Sequence, residues 1–168
     1  KSPTDEDLAA MFRLRAEDFF PVLQRARERA AALIGAPSES IALVTNTSHG
    51  VNIAARTLPF GRGDVVLSTA GEFPANVYPW MSATRARGAE FRMLPLAGHH
   101  PDEAALMRAI DTDARVKGVA LSWVSYWSGH RFDLAAIGAA CRKRGIWFFV
   151  DAIQGVGAVE LDVIASQV

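Results

Sequence analysis

The chain carries one cysteine, Cys141, in 168 residues. No internal disulfide framework can form, and a reducing, cytoplasmic setting is expected. Net charge is also missing, with 18 Lys plus Arg against 18 Asp plus Glu. That removes the global field that draws a protein to nucleic acid or to an anionic membrane. No apolar run is long enough to span a bilayer, and no stretch reads as a secretory leader. His99 and His100 lack a second ligand pair at useful spacing, which argues against a metal site. A dinucleotide fingerprint is absent too, since Gly61-Arg62-Gly63-Asp64 precedes a strand instead of following one. Lysine is confined to Lys1, Lys117 and Lys143.

What is present is a core. Half the residues are hydrophobic and 21% are charged, the balance of a globular domain rather than a disordered segment. The most informative stretch is Gly145–Gly157. Its run Ile146 to Val150 is short, aromatic and β-branched, and predicts a strand buried on both faces of a parallel sheet. The run ends on Asp151, at the strand end where open α/β sheets bind ligands. Asp151 can hold a cationic ring nitrogen there, or it can cap the following turn. Gln154 can donate to a phenolate-like oxygen, and Gly155 and Gly157 let the backbone turn closely.

Thr4 with Asp5, Glu6 and Asp7 marks a helix start, and residues 4–34 read as helical up to Gly35 and Pro37. Pro21 predicts two helices or a kink near Phe19–Pro21. Leu23, Ala26, Ala30, Leu33 and Ile34 form the apolar stripe of the second part. A strand is expected at Ile41–Thr45. Asn46-Thr47-Ser48-His49-Gly50 then opens a helix, and its hydroxyls with free N–H groups make either an anion site or an ordinary cap. The strand Val65–Ser68 leads to Glu72-Phe73-Pro74-Ala75-Asn76, where Phe73 either stacks on a planar ligand or plugs the loop. A helix at Val77–Arg87, a strand at Glu90–Leu96 and a helix near Pro101–Ala114 follow. The strand Gly118–Val124 leads to Ser125-Tyr126-Trp127-Ser128-Gly129, and Asp133 starts a helix at Leu134–Arg144. An extended piece is expected at Val159–Val163. The alternation predicts a three-layer αβα fold with a mostly parallel, doubly wound sheet.

Four segments together resemble the class V aminotransferase-like enzymes, a group that includes cysteine desulfurases, kynureninases and isopenicillin epimerase-like proteins. They are Thr47-Ser48-His49, Glu72 to Asn76, Ser125 to Gly129, and Val150-Asp151-Ala152-Ile153-Gln154-Gly155. The resemblance covers roughly residues 35–165. It implies the large domain of the fold type I enzymes, with pyridoxal 5'-phosphate as cofactor, an amino-acid substrate and a homodimer. Residues 1–35 would be an N-terminal helical segment and 36–168 an incomplete cofactor-binding large domain.

By position, Thr47 and Ser48 resemble the phosphate-binding pair, with His49 beside them. Phe73 resembles the residue that stacks on the pyridine ring, where desulfurases use His and kynureninases use Phe. Asp151 resembles the partner of the ring nitrogen and Gln154 that of the ring hydroxyl. Asn76 stands where kynureninases place an Asp near the cofactor, and Tyr126 where desulfurases place Asn. The family carries its cofactor-linking lysine after one further strand, a position this sequence does not reach. None of its own lysines is expected at the ligand edge, so no catalytic residue is assigned. The expectation is a piece of a longer enzyme, inactive by itself; the alternative is a non-catalytic cofactor-binding or regulatory module.

Overall fold

The computed structural model describes residues 3–11, 13 and 15–168. Two compact units divide at residues 43 and 44. The first holds α1 (Asp5–Met11) and α2 (Ala16–Ile34). Thr4 caps α1 reciprocally: its N–H donates to Asp7 Oδ2 at 2.8 Å, and the Asp7 N–H donates to its Oγ1 at 3.2 Å. The break between helices falls between Met11 and Ala16, not at Phe19–Pro21 as expected. Pro21 is the sixth residue of α2, past its first turn, so it forgoes the bond to the Glu17 carbonyl, yet the helix runs on through it. α2 ends at Gly35, whose φ of 67° needs glycine. The predicted stripe is not the buried one: Leu23 and Leu33 are exposed, and Ala31 is buried.

The second unit begins in extended coil. Ile41–Thr45, expected as a strand, pairs with no neighbour among the described residues; β-branched residues alone do not make a strand without a ladder to join. Then come α3 (Thr47–Thr57), β1 (Val65–Thr69), α4 (Tyr78–Arg87) and β2 (Glu90–Leu94). A short hairpin follows, β3 (Leu96–Ala97) with β4 (His100–Pro101), paired antiparallel. The unit continues through α5 (Glu103–Thr112), β5 (Val116–Ser122), α6 (Leu134–Arg144) and β6 (Trp147–Asp151). Val159–Val163, expected to be extended, joins no ladder beyond an isolated bridge from Val159 to Val156 among the described residues, and a turn begins at Val163.

The four longer strands pair in parallel in the order β2-β1-β5-β6, flanked by helices. On one face Val66 of β1 and Ala120 of β5 pack against Val51 and Ala55 of α3 and Trp80 and Ala83 of α4. Each large side chain so buried contributes roughly 1.5–3 kcal/mol. β1 is buried throughout because it is central. β6 is not buried on both faces as expected: Trp147 is exposed and Phe148 to Val150 are half-buried. Among the described strands β6 lies at the sheet edge, and burial comes from neighbours rather than from a strand's own hydrophobicity.

Candidate functional site

In a parallel sheet, each helix that runs into a strand begins at the strands' C-terminal edge. α3 therefore opens on the ligand edge. Asn46 caps it in extended conformation, its Oδ1 accepting the His49 N–H at 2.9 Å, while the Asn46 carbonyl accepts from Gly50. The N–H groups of Thr47 and Ser48 precede the first intrahelical bond and remain for an anion. The far end of α3 is fixed by Arg87 of α4, whose guanidinium reaches the carbonyls of Ala55, Arg56 and Leu58 and lies over the Phe60 ring at 4.6 Å. His49 is exposed, with its Nδ1 3.4 Å from Thr45 Oγ1.

Ser48 and Phe73 share a cavity of about 460 Å³, also lined by Asn52, Ala75, Tyr78 and Ser82. Phe73 stands half exposed after β1 and meets Tyr126 edge-on, with ring centroids 5.2 Å apart and planes at 85°. It is therefore not a buried plug. Its neighbour Glu72 turns inward. Glu72 Oε1 accepts the Ser122 N–H at 2.7 Å, and Oε2 accepts the Ser122 hydroxyl at 2.6 Å and Asn76 Nδ2 at 3.2 Å. Asn76 is fully buried, and its Oδ1 accepts the Trp80 indole N–H at 3.1 Å. Both ends of that amide are thus engaged, so Asn76 reaches the site through Glu72. Burial pushes the Glu72 carboxyl above its ordinary value; the Ser122 and Asn76 hydrogen bonds oppose the rise, and the Asp151 charge adds to it.

Asp151 ends β6 opposite Ser122 and is 6% exposed. Its Oδ1 accepts the Ile153 N–H at 3.1 Å, so the carboxylate also caps the turn, leaving lone pairs for a second partner. The turn beyond packs tightly: a Cβ on Gly155 would lie 2.3 Å from the Trp123 ring. What Gly155 approaches closely is therefore Trp123, a buried core residue, whereas Trp127 is exposed. Gln154 is exposed on this turn.

The Thr47 and Ser48 hydroxyls, the Phe73 ring and the Asp151 carboxylate thus stand at one sheet edge, a set of groups whose chemistry would suit a phosphorylated pyridine. Ser48 and Phe73 share the cavity, and Asp151 lies within electrostatic reach of Glu72. Gln154 and His49 stay at the surface. Glu72 escaped sequence reasoning because its main partner, Ser122, is fifty residues away. Asn52 was missed as well; its place four residues after Ser48, one helical turn on, was the available clue.

The aminotransferase class-V family profile matches residues 11–168. A probable cysteine desulfurase of Methanothermobacter thermautotrophicus is 35% identical over 144 residues, covering 85% of this chain and 35% of the relative. The cysteine desulfurase CsdA of Escherichia coli superposes with a TM-score of 0.79 at 28% identity, covering 85% of this chain and 37% of that one. A variant of C-DES, with glycine covalently linked to its pyridoxal-phosphate cofactor, shares the fold at a TM-score of 0.81 and 24% identity, covering 90% of this chain and 41% of that one. The chain spans about 35% of the length of the curated relatives it matches.

Proposed function

Because this chain belongs to the aminotransferase class-V family, we propose that it forms the cofactor-binding portion of a desulfurase-like enzyme acting on an amino acid. The family uses pyridoxal phosphate, which when bound supplies an electron-accepting ring. Thr47 and Ser48 hold the phosphate with their hydroxyls and free N–H groups, with His49 beside them. Phe73 covers one face of the ring. Asp151 keeps a proton on the ring nitrogen, and Gln154 swings in to the ring hydroxyl. Asn76 orders this edge from beneath. The cavity common to Ser48 and Phe73 is the observation that carries the reading. A phenyl ring cannot move a proton, so any proton transfer above that face needs another group. The family resemblance adds a homodimer and a cytoplasmic setting to the proposal.

A second reading, a binding module without catalysis, turns on where the amines of this chain stand. Lys117 is exposed near the start of β5, away from the ligand edge, and Lys143 lies exposed in the last turn of α6; Lys1 lies outside the described residues. Neither Lys117 nor Lys143 stands at the edge where the ring is proposed to sit, so neither is placed to bond with its aldehyde. Borohydride reduction with excess pyridoxal phosphate, followed by peptide mapping, tests this. Only scattered, substoichiometric labelling is expected. A stoichiometric adduct on Lys117 or Lys143 would relocate the site.

A further inference from the structure

We propose that Glu72 is the positioning residue of this edge, a half-buried carboxylate that clamps the Phe73 arm to the strand ends carrying Ser122 and Asp151 and so sets the gap that receives a flat ring. The proposal rests on the cofactor reading above. Two elements bond this one side chain, and a third joins through the sheet. From the β1–α4 connection comes Asn76, whose N–H also bonds the Phe73 carbonyl at 2.8 Å. From β5 comes Ser122, gripped through both its N–H and its hydroxyl. From β6 comes Asp151, paired with Ser122 in register and tied by its carbonyl to the Trp123 N–H at 2.9 Å.

Phe73 and Asp151 have no direct bond to each other among the described residues; the path between them runs through Glu72. The network is anchored below by Trp80, which is 1% exposed and holds Asn76 in one orientation. That orientation matters. The indole N–H needs the amide oxygen, so the amide nitrogen must face Glu72, and only an acceptor there completes the chain of donors. A neutral or charged carboxyl can accept at that point, whereas an amide nitrogen cannot.

The test uses that polarity. Glu72→Gln keeps the size and one acceptor for the Ser122 N–H but sets a donor against the Asn76 amide. Glu72→Gln with Asn76→Asp reverses donor and acceptor and restores the bond, since the introduced carboxylate would accept from both the introduced amide and the Trp80 indole. Dissociation constants are measured for pyridoxal phosphate and separately for inorganic phosphate, which probes only the α3 end. The Trp80 indole N–H resonance, assigned with Trp80→Phe, reports the network without any ligand. Glu72→Gln is expected to weaken pyridoxal phosphate about tenfold, leave phosphate within about twofold and shift the Trp80 resonance, with the double variant recovering both. If the resonance shifts but pyridoxal phosphate binds as before, or both ligands weaken equally, Glu72 is merely structural and the proposal falls. If Glu72→Gln does not fold, the double variant must bind like the parent while Ser122→Ala binds more weakly; the reverse overturns the proposal. If the unaltered chain takes up neither ligand, the cofactor reading fails first, and the Trp80 shift still reports whether the network exists.

Discussion

Four helices run into a strand of the same sheet and begin at the same edge; three of them, α3, α5 and α6, carry a side-chain cap, yet their first residues differ. α5 and α6 open on acids: Asp102 accepts the Ala105 N–H at 2.8 Å, and Asp133 accepts the Ala136 N–H at 3.0 Å. α3 opens on the neutral amide of Asn46 and continues with two hydroxyls. An acidic cap satisfies a donor and also places negative charge on the positive end of the helix dipole, closing that end to an anion. A neutral cap satisfies the donor and leaves the field open. Geometry alone gives this edge several anion-binding ends; the caps leave α3 as the accessible one among these three.

The contrast breaks most visibly if α3 is given an acid of its own. Ser48→Asp is expected to weaken binding of phosphate and pyridoxal phosphate by on the order of tenfold or more, by like-charge repulsion in the first turn. It should not lower the melting temperature, because an acid there suits the helix. Unchanged affinity in a calorimetric titration would show that the anion does not sit at α3.

Asp133 tests the other side. Asp133→Ala is expected to lower stability by about 1 kcal/mol through loss of the cap, read by urea unfolding, without altering phosphate affinity. Asp133→Asn keeps the acceptor and should cost only about 0.5 kcal/mol from the dipole. If the two substitutions cost the same, charge contributes nothing at that cap.

The smallest expected effect concerns acids that hold structure rather than leave room. At the opposite edge Arg92 bonds Glu90 at 2.7 Å and Asp113 at 2.9 Å. The Arg92 hydrogen bond holds the Asp113 carboxyl at about 2, below its ordinary 3.8. Its contribution is therefore full above that ordinary value and fades as pH falls toward about 2. Glu72 runs the other way: its raised value means that stability tied to the protonated form is lost as pH rises through it. A melting-temperature series in acid should lose its Asp113 component in Asp113→Asn, and solvent screening keeps that component small.

Local chemistry was legible in the sequence. The caps at Thr4 and Asp133 and the helix end at Gly35 depend on near neighbours, whereas the cap of α3 is the Asn46 amide and not the Thr47 or Ser48 hydroxyl that was expected. What was not legible depends on contacts between distant residues. Ile41–Thr45 has strand-forming residues but no ladder to join. Ile146–Val150 reads as doubly buried but has one described neighbour, β5. Glu72 looks like a solvated loop acid until Ser122 is brought to it across fifty residues. Asp151 was expected to hold a ligand or cap a turn, and its turn bond to Ile153 leaves both uses open to the same carboxylate.

Cys141 supplies a clock. It sits on the inner side of α6, 1% exposed, and burial pushes its thiol up to about 12. A thiol reagent reacts with thiolate and needs access, so the folded state is doubly protected. With no other cysteine in the chain, each labelled molecule records one occasion on which α6 lifted away. The labelling rate in native buffer thus measures how often this side of the sheet opens, and comparing it with and without pyridoxal phosphate reads how far occupancy of the distant edge slows that opening.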